Sequence, residues 1–314
     1  MFSAFLVLMY RLAQLARGDT LAIDRNFPDP SIVKDRDGAW YAFATNDGER
    51  QVQVQAARAT SPAGPWEVLD VDLLPDSGGF FTGNHTWAPD VRLLDDGSYV
   101  LYFSGQVRSD PAHHCVGVAF SSRIIGPYRP RPAPLLCDLG AGGQIDPAGF
   151  RDFDGRRYVT YKVDGNSLGR GGECNNGREP RVSTPIMLQE LAANGVDKIG
   201  PPVQLLDRVG DEPLVEAPDI YRHPDGTYFL FFSAGCFSEP DYRINYATAR
   251  NVRGPYTRAR SSLLSSQNTL GLVAPGGATV SGADEMPMVF HANCPAGRCM
   301  HVQDFRVEGR RIRL

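Results

Sequence analysis

The sequence has no C-x-x-C pair, no apolar run long enough to cross a bilayer and no excess of basic charge. The first absence removes the usual zinc-site signature. The second removes a helical membrane span. The third, a net charge of -4 at pH 7, leaves nucleic acid and anionic membranes without an electrostatic footprint. Lysine is scarce: Lys34, Lys162 and Lys198 are the whole complement, and the other basic residues are arginines. No function class follows from that scarcity. No linker-like stretch interrupts the chain, so residues 22–314 read as a single domain.

What is abundant suits β-structure. Gly 33 and Pro 24 fit many short strands joined by turns, and a hydrophobic fraction of 42% marks a globular chain. Residues 1–21 read as a signal peptide or an N-terminal extension. The apolar run 2–10 resembles a signal-peptide core. Against that, no Lys or Arg precedes it, Arg11 follows at once, and cleavage after Ala16 would leave Gln14 at the minus-three position. The six cysteines (Cys115, Cys137, Cys174, Cys236, Cys294 and Cys299) are an even count. That fits disulfides, an oxidising compartment and a secreted product. Cys294 and Cys299 are close enough to bridge across a turn. Cys174 and Cys236 each follow a comparable strand and form the second expected pair. Free buried cysteines are the alternative.

One unit repeats along the chain. The segments are D-P-S-I-V-K-D-R-D-G at 29–38, A-P-D-V-R-L-L-D-D-G at 88–97, D-P-A-G-F-R-D-F-D-G at 146–155 and A-P-D-I-Y-R-H-P-D-G at 217–226. Each sets a proline eight residues before the glycine of an Asp-Gly turn, at Pro30, Pro89, Pro147 and Pro218, spaced by 59, 58 and 71. Aromatic-rich runs follow: A-W-Y-A-F-A-T, S-Y-V-L-Y-F-S, R-R-Y-V-T-Y-K and T-Y-F-L-F-F-S. These are hairpin signals. A Gly-Pro-aromatic step recurs at Gly64-Pro65-Trp66, Gly126-Pro127-Tyr128 and Gly254-Pro255-Tyr256. The third unit lacks that step and carries extra residues around G-R-G-G-E-C-N-N-G-R-E-P. A weaker fifth unit has Gly277 at 59 residues after Pro218 and ends in M-H-V-Q-D-F-R-V and R-I-R-L. The pattern predicts an all-β, five-bladed β-propeller, with four-stranded antiparallel blades around a central channel and almost no helix.

Inner strands of such blades line the channel. The position before the aligned proline is Asp29, Ala88, Asp146 and Ala217, and Glu216 stands one residue before Ala217. Asp29, Asp146 and Glu216 thus sit at matching heights in three blades. Glu216 lies between Val215 and Ala217, where burial would push its pKa upward, as a general acid near neutral pH requires. Asp90 and Asp219 read as caps for backbone amides. Asp37, Asp96, Asp154 and Asp225 read as turn formers. Three converging acids suit glycoside hydrolysis, in which one carboxyl protonates the leaving oxygen and another activates water or attacks the sugar. Their bland counterpart is a metal or hydrogen-bond plug. Phe27, Trp87 and Phe150 offer rings for sugar stacking, with blade packing as the alternative for Trp87.

The set N-F-P-D-P-S-I at 26–32, T-W-A-P-D-V at 86–91, Q-I-D-P-A-G-F at 144–150 and V-E-A-P-D-I at 215–220 resembles glycoside hydrolase family 43. The likeness runs from about residue 25 onward. It implies a five-bladed propeller that cleaves arabinofuranosidic or xylosidic linkages of plant cell-wall polysaccharides with inversion. By position, Asp29 matches the general base and Glu216 the general acid. Asp146 matches the acid that tunes and holds the general acid. His291 in V-F-H-A-N matches a last-blade histidine near a central cation or water. The chemistry then needs no cofactor, and a structural calcium or other cation is the metal to look for. The third-blade insertion departs from common family patterns. Family β-xylosidases often carry a C-terminal sandwich domain, and Leu314 leaves no room for one. That favours an α-L-arabinofuranosidase or endo-1,5-α-L-arabinanase over a β-xylosidase. The expected partner is an oligo- or polysaccharide, met by a secreted monomer. An inactive sugar-binding propeller is the other reading, but it has no need of all three acids. A sialidase would show S-x-D-x-G-x-T-W turns, which are absent.

Asn84-His85-Thr86 is the one Asn-x-Ser/Thr acceptor in the sequence. Trp87 follows at once, so a glycan there would crowd the sugar site. Asn84 is expected to be unmodified in secreted protein. High occupancy by mass spectrometry would move Trp87 away from the site.

Overall fold

The computed structural model describes residues 19–269, 271–281 and 287–314, so the apolar run expected to be a signal-peptide core lies outside the described residues. Five antiparallel four-stranded sheets form the blades, the fourth with one extra short strand, Leu264–Ser265. Their inner strands are Ser31–Lys34, Phe81–Leu93, Gln144–Arg151, Val215–Arg222 and Gly276–Val280. Each inner strand neighbours the next, and the fifth neighbours the first, closing a ring. Among the described residues helix is limited to the 3-10 turns Leu139–Ala141 and Gly165–Leu168, and no helix is long and apolar enough to cross a membrane.

The repeat decides local structure in the same way each time. In the first four blades Gly38, Gly97, Gly155 and Gly226 take φ of 81, 84, 87 and 85°, a conformation that glycine adopts without a Cβ clash. The preceding aspartate accepts the amide two residues on: Asp37 from Ala39 at 2.8 Å, Asp96 from Ser98 at 2.9 Å, Asp154 from Arg156 at 3.0 Å and Asp225 from Thr227 at 2.8 Å. The aromatic second strands, such as Trp40–Ala44 and Tyr228–Ala234, are buried along their whole length. They are covered on both faces because neighbouring blades pack on them. Phe81 and Phe103 of the second blade, for example, share one core with Phe43 and Val54 of the first.

The fifth blade differs from expectation in two ways. Its outer strand is not R-I-R-L but Thr20–Ile23 from the start of the chain, paired with Gly297–Asp304. The segments Arg306–Glu308 and Arg311–Arg313 form a separate hairpin. Hydrogen bonds between the two chain ends cover an edge that would otherwise stay open. The register also moves by one. Gly277, with φ of 61°, occupies the position of Asp29, Ala88, Asp146 and Ala217, not that of the prolines.

Ile23 is 4% exposed in the core shared with Ile32, Trp40 and Val289. Ile23→Ala is expected to cost about 2–5 kcal/mol, read as a lower urea midpoint. An unchanged midpoint would show that the closing strand contributes little.

Candidate active site

In or just before every inner strand the backbone turns left-handed once. Asp29, Ala88, Asp146 and Ala217 have φ of 53, 43, 54 and 49°. For residues other than glycine this costs on the order of 1–3 kcal/mol each. The ladder register slips at this point in the second to fifth blades, as at a bulge that re-aims side chains. The amide so freed is capped from the second strand of the preceding blade. Ala88 donates to Thr45 Oγ1 at 2.9 Å, Asp146 to Ser104 Oγ at 2.9 Å, Gly277 to Ser233 Oγ at 2.9 Å and Asp29 to His291 Nδ1 at 3.1 Å. The third blade puts Lys162 in that slot, which has no acceptor. Asp146 Oδ2 instead takes the Ala217 amide at 2.9 Å.

This geometry brings Asp29, Asp146 and Glu216 into one cavity of about 380 Å³, together with Trp87, Lys162, Tyr242 and Arg298. Asp29 Oδ2 accepts from Thr45 Oγ1 at 2.6 Å and Oδ1 from Arg298 Nη1 at 3.1 Å. Burial opposes its charge, but Arg298, His291 and the Thr45 hydroxyl outweigh burial and hold its pKa below the ordinary aspartate value. Asp146 goes the other way. Burial, then the charge of Glu216, raises it to about 8 against the pull of Lys162. Both Glu216 oxygens accept a hydrogen bond: Oε2 from Lys162 Nζ at 3.0 Å and Oε1 from Tyr242 Oη at 2.7 Å. Two aspartates in the same backbone slot are therefore pushed in opposite directions.

Trp87 lines this cavity, with its ring stacked on His114 at 3.6 Å and 20°. Phe27 and Phe150 do not serve the site. Phe27 is fully buried, packed with Ile32 and Trp40. It points into the sheet because the left-handed turn comes two residues later. Phe150 packs on Tyr158 and Tyr228 and lines a separate cavity of about 580 Å³, at the far ends of the inner strands. Asp90 and Asp219 are caps, as expected, accepting from the Gly149 amide at 2.7 Å and the Val280 amide at 2.8 Å. Sequence reasoning missed Lys162, Tyr242, Arg298 and the caps. For Thr45, Ser104, Lys162 and Ser233 a signal existed, since they are the final letters of the four aromatic runs.

The cysteines pair as Cys115–Cys137, Cys174–Cys236 and Cys294–Cys299, with Cα separations of 4.9, 5.7 and 5.8 Å. Both expected bridges form. Cys174–Cys236 ties the third-blade insertion to the loop carrying Phe237, and both line the cavity. Cys294–Cys299 closes the turn that presents Arg298 to Asp29.

His291 is fully buried, and its Nδ1 lies 3.1 Å from the Asp29 amide and 3.4 Å from Asp29 Oδ1. Its Nε2 has no protein partner. With Nδ1 accepting the amide, Nε2–H would donate to a water. With Nδ1–H turned to the carboxylate, Nε2 would offer a lone pair to a cation. Among the described residues no three-ligand cluster surrounds it. The one such group, Asp24 with Cys294 and Cys299, has its sulfurs in a disulfide. A cation at His291 therefore fits only with a shell completed mostly by water.

Three carboxyls around one cavity on a propeller frame suit a glycoside hydrolase, and known proteins agree. The model of Glycosyl hydrolases family 43 matches residues 22–314, and the chain belongs to that family. The chain is 26% identical over 264 residues to a probable arabinan endo-1,5-alpha-L-arabinosidase C of Aspergillus flavus, covering 80% of this chain and 73% of the relative. It is 24% identical over 254 residues to extracellular endo-alpha-(1->5)-L-arabinanase 2 of Bacillus subtilis, covering 74% of this chain and 50% of the relative. A thermostable family-43 glycoside hydrolase of known structure superposes with a TM-score of 0.75 at 23% identity, over 91% of each chain, and shares the fold.

A Cβ on Gly277 would lie 2.8 Å from His291 Nδ1 and 2.9 Å from its Cε1, at φ of 61°. Gly277→Ala is expected to displace His291 from the Asp29 amide and lower both melting temperature and turnover. Wild-type values for both would mean that the His291 cap is dispensable.

Proposed function

We propose that this glycosidase cleaves α-L-arabinofuranosidic bonds of arabinan-type polysaccharides with inversion, as an α-L-arabinofuranosidase or an endo-1,5-α-L-arabinanase. The observation that carries the mechanism is the contrast between two aspartates in the same backbone slot: Asp29, bonded by Arg298 and Thr45, is pushed toward the ionised form, and Asp146, buried beside Glu216, toward the protonated one. The printed names of the Aspergillus and Bacillus relatives support arabinan as the substrate class.

In this reading Asp29 takes a proton from the attacking water. Arg298 and Thr45 fix both of its oxygens, so the base is oriented before substrate arrives. Glu216 passes a proton to the leaving oxygen, and Asp146, coupled to it, shares and governs that proton. Trp87 offers a ring to a sugar face. If a cation is bound, His291 holds it through Nε2, and it supplies positive charge near Asp29. We also read the protein as exported, because three disulfides persist in oxidising compartments.

Glu216→Gln is expected to lower kcat on arabinan by on the order of 10²–10⁴, with a smaller loss on aryl glycosides whose leaving groups need less protonation. Asp29→Asn should depress both alike. Asp146→Asn should move the basic limb of the pH profile to lower pH, because the second carboxyl, whose charge makes the pair's last deprotonation harder, is gone. Full activity of Glu216→Gln on arabinan would sink the assignment. Product anomers read by NMR test inversion directly, and retention would require a carboxyl pair about 5–5.5 Å apart.

A further inference from the structure

Four of the five cap slots hold an acceptor: Thr45, Ser104, Ser233 and His291. The fifth holds Lys162, a fully buried lysine. Burying an ammonium is costly unless it is paired. Lys162 Nζ lies 3.0 Å from Glu216 Oε2 and 3.0 Å from Asp164 Oδ1. Burial works against its charge, but Glu216, Asp164 and Asp146 together keep its pKa above the ordinary lysine value. The charge is therefore permanent across the working pH range. Both Glu216 oxygens are taken by donors, Lys162 and Tyr242. Asp146 has one oxygen on the Ala217 amide, which leaves Oδ1 to carry a hydrogen.

Resting on the assignment of Glu216 as the acid, we propose that Lys162 is a positioning residue for it. From the third blade's cap slot Lys162 holds Glu216 in the cavity and keeps the shared proton of the Asp146–Glu216 pair on Asp146 while the site is empty. The groups facing this pair are Lys162, Asp164, Tyr242 and, across the cavity, Asp29. During reaction the pair's O–H bond breaks and an O–H bond forms to the leaving oxygen, which keeps the electron pair of the glycosidic C–O bond. The water oxygen bonds to the anomeric carbon and its proton goes to Asp29. Solvent exchange then returns that proton to the pair. The charge of Glu216 acts on Asp146, and two carboxyls that interact titrate as a unit, so a nearby fixed positive charge shifts where the unit loses its proton.

The test uses Lys162→Ser, because serine already fills the slot in the second and fourth blades, with Lys162→Arg as the charge-keeping control. Infrared difference spectra of the substrate-free enzyme should show a protonated-carboxyl band near pH 7 that is lost in Asp146→Asn. In Lys162→Ser the midpoint of that band, and the basic limb of kcat/KM on arabinan, should rise by about 1–3 pH units. The kcat should fall roughly ten- to a hundredfold from misplacement of the acid, with KM little changed. Lys162→Arg should keep the midpoint near wild type. An unmoved midpoint in Lys162→Ser overturns the proposal, as does an equal shift in Lys162→Arg. Absence of the band from wild type does so without any variant, and Lys162→Gln replaces the serine variant if that does not fold. Full activity of Glu216→Gln would instead refute the acid assignment, whatever the band does.

Discussion

Everything at the end of the channel where the three acids meet depends on one hydrogen bond repeated around the ring, from a left-handed residue's amide to a side chain of the preceding blade. The left-handed turn is unfavourable for aspartate and alanine alike. It persists because the freed amide, which would be costly to bury unpaired, finds an acceptor one blade back. The bond therefore does two things. It fixes the height at which each inner strand enters the channel, and it couples neighbouring blades through a polar contact more directional than their apolar packing. Thr45 shows how closely this frame and the chemistry are joined: its hydroxyl accepts the Ala88 amide and donates to Asp29 Oδ2.

The frame is nearly fivefold, but the electrostatics are not. Asp29 and Asp146 occupy the same slot in the first and third blades with closely similar backbone angles. What separates their pKa directions is the company each keeps. Asp29 faces a guanidinium, a hydroxyl and an imidazole, whereas Asp146 faces a second carboxylate at comparable burial. Replacing hydration by fixed charges of opposite sign stabilises one anion, and replacing it by a like charge destabilises the other. Symmetric scaffolding thus delivers asymmetric chemistry from a few substitutions around it.

How legible was this in the sequence? The blades were, because the Asp-Gly turn needs a glycine at positive φ and an aspartate to accept the amide beyond it, and both leave letters at fixed spacing. The three acids were, because they sit in or beside one slot of the repeat. Phe27 and Phe150 were misjudged because a ring's destination depends on its distance from the left-handed residue: Trp87 stands one before it and lines the cavity, Phe27 two before and Phe150 four after, and neither does. Closure of the fifth blade by Thr20–Ile23 was missed because it pairs the two chain ends, a contact with no local pattern. Tyr242 arrives on a loop and Arg298 near the start of the strand Gly297–Asp304, each close to a disulfide that fixes the geometry. Lys162 was visible as the odd letter among Thr45, Ser104 and Ser233, but its meaning depends on knowing that the slot holds an acceptor.

The channel itself explains why the chemistry stays at one end. Between the ring of left-handed residues and the capping Asp90 the cavity is only about 30 Å³, against about 380 Å³ around the three acids. Arg92 closes it further by pairing with Asp90 at 2.8 Å and reaching Asp219 at 3.4 Å. Burial raises both of those aspartates against the pull of Arg92, Asp219 to about 7, so this plug is held by an ion pair and by amides, with little free charge to spare. A sugar cannot pass such a constriction. The cavity around Phe150 at the far ends of the strands is therefore cut off from the acids, and the same inner strands that deliver Asp29, Asp146 and Glu216 to one face seal that face from the other.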